Sequence, residues 1–433
     1  MRLMQYRNLD RPQWHVYPEQ GLLNDPNGLV YFKGQYHVYY QYNFRDTTHH
    51  FKAWGHRTSS DLLTWSEEDI PLVPSEWYDK DGCYSGGAFV KDDCLYLFYT
   101  GTVIEEDGSK SSYQCLATST DGYHLVKQGP ILPHPEGYTR HVRDPQVFQG
   151  TNGRYYMLLG AQTNDLRGTT LTYQSDDLHT WKLMGETVPS VSLDSYMWEC
   201  PNLVRLDEYD YFIFSPQGLP KEAERFRNVF STTYYAGRFD EETGCFTPIT
   251  PLEELDKGFD FYAPQVFKGP HNESIMFGWA GVPTPEEESA IPTIAKGWVH
   301  TLTAARLLRE KNKQLLAMPI FPDQVSTLSE EKDISVAIPH YNGAMRLNPQ
   351  KDEWVLVSDA WQLSYREQTL MLERTNWYTN QSEYRVVYRG TIQTLLITLD
   401  KNMGELYVNE GDAVATFKFF SYKDTMSIKY CSK

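Results

Sequence analysis

Short alternating runs of apolar and polar residues recur through roughly the first three hundred positions of the chain. Gly, Pro, Asn and Asp bound these runs, and no helical period of useful length is visible within them. Five segments share one pattern: a turn-forming or Pro-containing start, an apolar strand, a polar turn and a second, aromatic-rich strand. These segments are NDPNGLVYFKGQYHVYYQYN, YSGGAFVKDDCLYLFYTGT, RDPQVFQGTNGRYYMLLGAQ, ECPNLVRLDEYDYFIFSP and YAPQVFKGPHNESIMFGWAG.

A nearly constant spacing marks these segments as repeats of one unit. Their first apolar strand residues lie 59, 58, 56 and 63 positions apart, at Val30, Phe89, Val147, Leu203 and Val266. A second motif, SSDLLTW, STDGYHL and SDDLHTW, keeps the period, with spacings of 60 and 56 between Asp61, Asp121 and Asp177. Four-stranded repeats of about 40–50 residues are typical of propeller blades, and a longer period leaves room for longer loops. The sequence therefore predicts an all-β protein whose residues 1–310 form a five-bladed β-propeller.

The pattern changes from about Met318 onward. The stretch FPDQVSTLSEEKDISVAI is typical of a connection. Alternating runs without the repeated motifs follow it: EWVLVSDAWQLSY, EYRVVYRG, TLLITLD and ATFKFF. Their spacing predicts a small antiparallel β-sandwich. We therefore expect residues 311–433 to form a linker and a C-terminal sandwich domain.

Composition excludes several classes of function. Aromatic residues make up 14% of the chain, with 31 Tyr and 11 Trp, which suits a β-rich core, a sugar-binding surface or both. A formal net charge of −17 without a basic block argues against nucleic acid as a partner. No apolar run approaches the ~20 residues that span a bilayer, so a membrane partner is not expected either.

The N-terminal sequence and the cysteines bear on the compartment. The segment MRLMQYRNLDRPQWH lacks the apolar core of a secretion signal, and the initiator Met favours a cytoplasmic protein. The six cysteines are scattered without a CxxC pair, which indicates reduced thiols rather than a zinc site or a disulfide framework. We expect no metal site and no cofactor.

Three of the five predicted inner strands carry an acid just before the apolar position. The residues there are Asp25-Pro26, Ser85-Gly86, Asp144-Pro145, Glu199-Cys200-Pro201 and Ala263-Pro264. A single Asp at such a place often only caps a turn. Three acids brought to one end of a propeller axis cost stability unless their pKa values are pushed apart, as acid–base chemistry requires. Paired carboxylates are typical of glycoside hydrolysis, and a third acid can hold the substrate.

Several aromatic residues near the predicted strand ends could stack on a sugar ring. They are Trp14, Trp54, Trp198 and Trp279, although each alone is more typical of a core. A non-catalytic sugar-binding propeller is the alternative from another class of protein. Such a lectin would not need an acid at three repeated positions, so the sequence favours an enzyme.

The motifs that contain these residues closely resemble glycoside hydrolase family 32, the β-fructofuranosidases. The matching stretches are WHVYPEQGLLNDPNG, WGHRTSSDL, YSGGA, RDPQVF and WECPNL, with further similarity in DFYAPQ and in the GW that precedes the second domain. The resemblance covers the whole predicted propeller. It implies enzymes such as invertases, sucrose-6-phosphate hydrolases and exo-acting fructanases.

The resemblance implies a role for each acid. Asp25 would be the nucleophile that attacks C2 of a fructosyl unit, and Glu199 the acid that protonates the leaving oxygen and then activates water. Asp144 would bind the fructose hydroxyls beside Arg143. Net retention predicts about 5–5.5 Å between the carboxyl groups of Asp25 and Glu199. The same resemblance implies substrate contacts from Asn24, Gln41, Trp54, Tyr84 and Ser85, and Trp279 is a further substrate-binding candidate as a stacking aromatic residue.

The sequence leaves open which leaving group, and therefore which substrate, the enzyme accepts. The family's usual SGSA is SGGA here, NFRDTTHHFKA lacks a Trp often found there, and GELYVNEGDAVATF replaces the usual late motif.

Sucrose 6-phosphate is the first candidate substrate, and sucrose or short fructooligosaccharides are the second, with fructosyl transfer as a further possibility. Cations that could bind a phosphate are His49, His50, Lys52, Arg57, Arg140 and His141, although loop cations on an acidic protein also balance carboxylates. The oligomeric state is left open.

Overall fold

A computed structural model of the chain describes residues 6–322, 325–328, 335–423 and 425–432, and in these ranges the protein is all-β. Helical structure within them is confined to one α-helix, Pro285–Ser289, and two short 3₁₀ helices, Pro292–Lys296 and Pro339–Tyr341. No helix of these ranges is both long and apolar enough to cross a membrane. Residues 1–5 of the N-terminal segment, and residues 323–324 and 329–334 of the predicted connection, lie outside the described residues.

Five sheets follow one another along residues 21–319. Their strands are β1 (Gly21–Phe32), β2 (Gln35–Asn43), β3 (Ala53–Ser59), β4 (Asp69–Leu72), β5 (Gly82–Lys91), β6 (Cys94–Ile104), β7 (Lys110–Ser119), β8 (Val126–Pro130), β9 (Tyr138–Gln149), β10 (Tyr155–Thr163), β11 (Gly168–Ser175), β12 (Lys182–Glu186), β13 (Met197–Arg205), β14 (Asp210–Gln217), β15 (Thr233–Asp240), β16 (Cys245–Pro248), β17 (Glu253–Glu254), β18 (Tyr262–Lys268), β19 (Ser274–Ala280), β20 (Trp298–Val299), β21 (Thr301–Leu302), β22 (Arg306–Lys311) and β23 (Gln314–Pro319).

The sheets repeat one antiparallel order. Strands β1–β4, β5–β8, β9–β12 and β13–β16 each pair in sequence, and the fifth sheet has the order β18-β19-β22-β23. Strand β20 pairs in parallel with β1, so the chain returns from the fifth sheet to the first. The first strands touch one another in the cyclic order β1, β5, β9, β13, β18 and back to β1. We call this closed arrangement of first strands the ring.

The second repeated motif is a turn cap that follows the third strand of three sheets. Ser59 Oγ accepts the amide of Leu62 at 2.8 Å, while Asp61 Oδ1 accepts the amides of Leu63 and Thr64 at 2.8 and 2.7 Å. The same bonds recur at Ser119 with Asp121 and at Ser175 with Asp177. These aspartates satisfy backbone amides in the turn, so their periodicity is structural.

Each first strand is interrupted by a bulge. The register with the second strand shifts between Leu23 and Pro26, Tyr84 and Gly86, Arg143 and Gln146, Glu199 and Asn202, and Tyr262 and Gln265. A bulge leaves residues unpaired and re-aims their side chains. Five bulges in one ring therefore turn side chains toward one end of it.

The remaining strands form two more sheets, which we call the C-terminal sheets. They are β24 (Val325–Leu328), β25 (Ser335–Ile338), β26 (Asn342–Leu347), β27 (Trp354–Val357), β28 (Trp361–Arg366), β29 (Thr369–Thr375), β30 (Ser382–Arg389), β31 (Leu395–Asp400), β32 (Met403–Val408), β33 (Ala413–Lys418) and β34 (Met426–Ser432). One sheet has the order β24-β26-β31-β32-β33 and the other β25-β34-β27-β28-β29-β30. Both contribute to one apolar core, for example with Leu399 and Leu406 from the first and Leu356 and Leu363 from the second. The β24–β26 pair is parallel, whereas the other pairs are antiparallel as the alternation predicts.

A buried charge network joins the fifth sheet to the C-terminal sheets. Arg306 on β22 donates to Asp256 at 2.9 Å and to Glu405 on β32 at 3.1 Å. His15 lies 2.9 Å from Asp400 and 3.2 Å from the other oxygen of Glu405. All five side chains are buried, so breaking one partner would leave an uncompensated charge away from water.

Candidate active site

A cavity of about 480 Å³ opens at the end of the ring toward which the bulges turn their side chains. Of the ten residues to which the sequence analysis gave catalytic or substrate-contact roles, nine line it: Asn24, Asp25, Gln41, Tyr84, Ser85, Arg143, Asp144, Glu199 and Trp279. They belong to β1, β2, β5, β9, β13 and β19. All five sheets around the ring therefore contribute to one site.

The three acids do not occupy equivalent strand positions. Asp25 and Asp144 lie within the bulges of β1 and β9, whereas Glu199 pairs with Ser215 immediately before the bulge of β13. The aligned triplets are Arg143-Asp144-Pro145, Glu199-Cys200-Pro201 and Tyr262-Ala263-Pro264. The acid of the fourth repeat is thus shifted by one residue from that of the third.

The bulges of β9, β13 and β18 share an unusual backbone conformation. Asp144, Cys200 and Ala263, each followed by proline, have positive φ angles of 63°, 47° and 48°. The left-handed region costs about 1–3 kcal/mol for a residue with a Cβ, so the packing of the ring must hold it in place. Strain of this kind is concentrated at functional sites.

Asp25 is held by a fully satisfied set of amide and hydroxyl groups. Ser85 Oγ donates to its Oδ2 at 2.5 Å, and Asn24 Nδ2 donates to its Oδ1 at 3.0 Å. Gln41 fixes both donors, accepting from Asn24 and donating to Ser85 Oγ, each at 2.7 Å. Burial raises the pKa of Asp25, the Ser85 hydrogen bond opposes this, and the charge of Glu199 raises it further. The carboxyl group therefore has one orientation, toward the cavity.

Glu199 is held by three side chains from three different sheets. Arg143 donates Nε and Nη2 to its Oε1 at 2.9 and 2.7 Å. Gln217 and the Tyr262 hydroxyl both donate to Oε2 at 2.6 Å. Arg143 and Tyr262 occupy, on the neighbouring first strands, the same position as Glu199, which is why they reach it.

Asp144 is the most deeply buried of the three acids, with 6% of its surface exposed. Its Oδ2 accepts the backbone amide of Cys200 at 3.0 Å, so the fourth bulge supports the acid of the third. Burial raises the pKa of Asp144 to about 7, with a further contribution from the charge of Glu199 and opposition from Arg143. Burial and the charge of Glu199 thus raise the pKa of both Asp144 and Asp25 above the ordinary value of a carboxyl group.

A hydrogen-bonded chain of titratable side chains extends from Asn24. Lys52 Nζ donates to Asn24 Oδ1 at 2.6 Å and lies 2.8 Å from His49 Nδ1. His49 Nε2 is 3.0 Å from Glu288, which also contacts the buried His300 at 2.8 Å. Burial lowers the pKa of Lys52 to about 8. The position of Asn24, and through it that of Asp25, depends on this chain.

Lys110 and His141 line one side of the cavity wall, beside the acid–arginine pair. Lys110 Nζ donates to the Tyr84 hydroxyl at 3.3 Å, and His141 Nδ1 lies 3.1 Å from Arg143 Nη1. Burial, together with the charges of Arg143 and Lys110, lowers the pKa of His141. This wall therefore presents one ammonium group and one imidazole to a bound molecule.

Other residues selected from the sequence lie outside the cavity. The Trp54 ring is 0% exposed in the core, and its indole N–H donates to the Tyr84 carbonyl at 3.0 Å, so it supports the wall from behind. Arg57 donates to Glu19 at 2.7 Å. Arg140 donates to the Ser111 hydroxyl and forms an ion pair with Glu105. The rings of Trp14 and Trp198 are buried. His50 is exposed away from the lining residues.

The lining residues that were not selected from the sequence include Lys110, Gln217, Tyr262 and Glu288. Tyr262 carried a usable signal, because it precedes Ala263-Pro264 just as Glu199 precedes Cys200-Pro201. The other three come from two strand ends and the short α-helix, which share no motif, so only the folded chain brings them to the acids.

Comparisons with known proteins identify the family to which the chain belongs. A sequence model of the glycosyl hydrolases family 32 N-terminal domain matches residues 15–319. A sucrose-6-phosphate hydrolase of Klebsiella pneumoniae is 40% identical over 94% of this chain and 88% of its own length. A sucrose-6-phosphate hydrolase of Bacillus subtilis is 38% identical over 95% of this chain and 89% of its own length.

Solved structures show the same similarity in three dimensions. The structure of a sucrose-6-phosphate hydrolase from Lactobacillus gasseri superposes with a TM-score of 0.81 at 26% identity, covering 98% of this chain and 93% of that one. A mutant β-fructofuranosidase from Bombyx mori in complex with sucrose gives a TM-score of 0.82 at 28% identity, with 99% and 92% coverage. The protein is a glycoside hydrolase, and the chain belongs to glycoside hydrolase family 32.

Proposed function

We propose that this protein hydrolyses sucrose 6-phosphate to fructose and glucose 6-phosphate, with retention at the fructosyl carbon. The observation that carries the proposal is the pair of separately held carboxyl groups in one cavity, Asp25 on β1 and Glu199 on β13. Each has its own set of donors, so the two acids can perform different tasks. The similarity to sucrose-6-phosphate hydrolases over most of the chain supports the choice of substrate.

In the first step, Asp25 attacks C2 of the fructosyl unit while Glu199 protonates the departing glucosyl oxygen. The C2–oxygen bond breaks and a covalent bond from C2 to Asp25 forms, which leaves Glu199 as a carboxylate. Ser85 and Asn24 orient the attacking carboxylate. Arg143, Gln217 and Tyr262 orient the acid toward the leaving oxygen.

In the second step, Glu199 takes a proton from water, which attacks C2 and releases Asp25. Two inversions at one carbon give net retention. Asp144, fixed by the Cys200 amide, accepts hydrogen bonds from the fructose hydroxyls and stabilises the positive charge that develops at C2. Gln41 and Trp54 act indirectly, through the donors and the wall that they support.

The phosphate of the substrate lies, in this proposal, against Lys110 and His141. These residues are on the same side of the cavity as Arg143, which holds the acid that meets the leaving group. A lysine ammonium supplies a fixed point charge to a phosphate, and an imidazole supplies a directional hydrogen bond. A charged sugar does not cross a membrane unaided, so we also propose that the protein acts in the cytoplasm.

The architecture we propose is a five-bladed β-propeller followed by a β-sandwich. The closed ring of first strands and the four-strand order of each sheet support the propeller, and the core shared by the two C-terminal sheets supports the sandwich. Because β23 pairs with β22 in the fifth sheet, we propose a domain boundary after Pro319 rather than between residues 310 and 311.

The proposal is tested by kcat/KM on sucrose 6-phosphate, sucrose and 1-kestose, with Asp25→Asn as the blank. We expect sucrose 6-phosphate to be preferred by about tenfold or more, or ~1.4 kcal/mol of differential transition-state binding. The exposed Asp176→Asn should match the parent protein. Equal or better use of 1-kestose would favour a β-fructosidase for short fructooligosaccharides. Undiminished turnover by Asp25→Asn would refute the covalent mechanism.

A further inference from the structure

A second cavity, of about 390 Å³, lies between the fourth and fifth sheets and the C-terminal sheets. We call it the inter-sheet cavity. It shares Val229, Val282 and Pro283 with the catalytic cavity, so a single wall separates the two. No step of the proposed reaction uses it, and its polar groups belong to parts of the chain that carry no repeated motif.

Three guanidinium groups meet in the inter-sheet cavity although the chain as a whole is strongly acidic. They are Arg227 from the loop after β14, Arg374 on β29 and Arg385 on β30. Arg374 and Arg385 stack on the Phe259 ring, with guanidinium carbons 4.2 and 4.3 Å from its centre. Positive groups held this close require compensating negative charge.

Among the described residues, the carboxylates in the lining form ion pairs with only one of the three arginines. Arg374 donates Nε to Glu383 at 2.7 Å and also forms an ion pair with Asp260. Glu287, the third acid in the lining, accepts from Asn376 at 2.8 Å instead. Asp260 and Glu383 therefore both pair with Arg374.

Arg227 and Arg385 each retain guanidinium N–H donors that are available to a ligand. Arg385 donates to the Asn228 side chain at 2.9 Å and to the Tyr384 carbonyl at 3.1 Å, while its Nε is buried with no hydrogen-bond partner among the described residues. Arg227 donates Nη1 to the Ala223 carbonyl at 2.7 Å. Within the described ranges of the chain, neither forms an ion pair with a carboxylate. Burial and the charges of Arg374 and Arg227 lower the pKa of Arg385 to about 10.

We infer that the inter-sheet cavity is a second ligand site, separate from the catalytic cavity, which binds a phosphate monoester between Arg227 and Arg385. A phosphate monoester carries about −1.5 to −2 charges near pH 7, which two guanidiniums match, and it accepts the paired hydrogen bonds that arginine donates. Trp377 and Tyr384 line the same space and offer aromatic surface to a sugar ring. A sugar phosphate therefore fits both the charge and the surface.

The test is isothermal titration of the full chain with inorganic phosphate and with glucose 6-phosphate. Glucose 6-phosphate is chosen as a probe because of the proposed function, whereas inorganic phosphate is not. If the protein failed to hydrolyse sucrose 6-phosphate, the binding result could therefore still be interpreted.

We expect Arg385→Gln and Arg227→Gln each to weaken binding by about tenfold or more, equivalent to ~1.4 kcal/mol. Both variants should keep kcat/KM on sucrose within about twofold, since neither side chain lines the catalytic cavity. Arg389→Gln is the matched control, an exposed arginine on β30 that pairs with Glu224 outside the cavity.

Each outcome of the titration either supports or overturns the proposed second site. Equal affinity for the two probes supports a site that recognises the phosphate group alone, and tighter binding of glucose 6-phosphate supports a sugar-phosphate site. Parent-like binding by both arginine variants, or binding of neither probe, would overturn it. So would loss, in Lys110→Gln, of the same binding that Arg385→Gln and Arg227→Gln weaken, because that phosphate would then lie in the catalytic cavity. If Arg385→Gln does not fold, Arg227→Gln decides alone.

Discussion

Arg143 holds Glu199 through two hydrogen bonds to one carboxylate oxygen, from Nε at 2.9 Å and from Nη2 at 2.7 Å. The guanidinium is planar and rigid, so the two bonds fix the direction of the carboxyl group as well as its position. The other carboxylate oxygen of Glu199 accepts hydrogen bonds from Gln217 and Tyr262. The orientation of the proposed acid–base residue therefore depends on Arg143.

Replacing Arg143 by lysine should slow the reaction without unfolding the protein. Lysine keeps the charge but supplies a single point donor, so Glu199 loses its fixed direction toward the leaving oxygen. We expect kcat/KM on sucrose to fall roughly 10- to 100-fold, or about 1.4–2.7 kcal/mol. Arg167→Lys is the control, since Arg167 contacts both oxygens of Glu186 away from the cavity. A parent-like rate in Arg143→Lys would mean that Glu199 is oriented by its other donors.

Replacing Lys52 by methionine should move the acid limb of the pH–rate profile. The charge of Lys52 lowers the pKa of Asp25, which burial raises. Without that charge the pKa of Asp25 rises, and the nucleophile becomes protonated at a higher pH than in the parent. The measurement is kcat/KM on sucrose as a function of pH, and the limb should shift upward. Lys127→Met, which removes a lysine bonded to Asp79, should leave the limb in place; an unmoved limb in both variants would contradict the link.

Replacing Lys110 by glutamine should reduce the preference for the phosphorylated substrate. The variant keeps a hydrogen-bond donor beside Tyr84 but loses the only ammonium group that lines the cavity among the described residues. We expect the ratio of kcat/KM for sucrose 6-phosphate over sucrose to fall about tenfold, in line with the loss of a hydrogen bond to a charged group. Lys182→Gln, an exposed lysine on β12, provides the control. An unchanged ratio would place the substrate phosphate elsewhere.

The buried His15 should make stability depend on alkaline pH. Burial disfavours its charge, but hydrogen bonds to Asp400 and Glu405 outweigh this and raise the pKa of His15 to about 9. A raised pKa contributes stability that is fully present below the unfolded value of 6.5 and is lost as the pH rises through about 9. We expect His15→Gln to lower the free energy of unfolding at pH 6 by on the order of 2–3 kcal/mol, and the difference to shrink toward pH 10.

Denaturant unfolding at several pH values measures this effect. The control is His124→Gln, because His124 forms a comparable pair with Asp121 but its side chain is 89% exposed. Solvent screens that pair, so its removal should have little effect. A constant difference between the parent and His15→Gln from pH 6 to 10 would show that the histidine acts by packing rather than by charge.

The sequence by itself determined the repeats, the strand type and the location of the acids. Turn residues, alternation and a period near 60 are local properties, and local backbone preference is enough to fix them. The second motif was equally readable, since Asp61 and its equivalents bond to amides only a few residues away. Asp25, Asp144 and Glu199 were found because each lies next to a motif that recurs.

The tertiary structure alone decided which groups surround those acids. Arg143 and Tyr262 reach Glu199 because they hold the same position on the neighbouring first strands, and Gln217 reaches it from the end of β14. Trp54 was expected in the cavity, but its ring packs in the core behind the wall.

Lys110 and the guanidiniums of the inter-sheet cavity belong to segments far apart in the chain and without a shared motif. A contact of this kind depends on strand register and on how the sheets pack. A one-residue slip reverses the direction of a side chain, and no local pattern records the outcome.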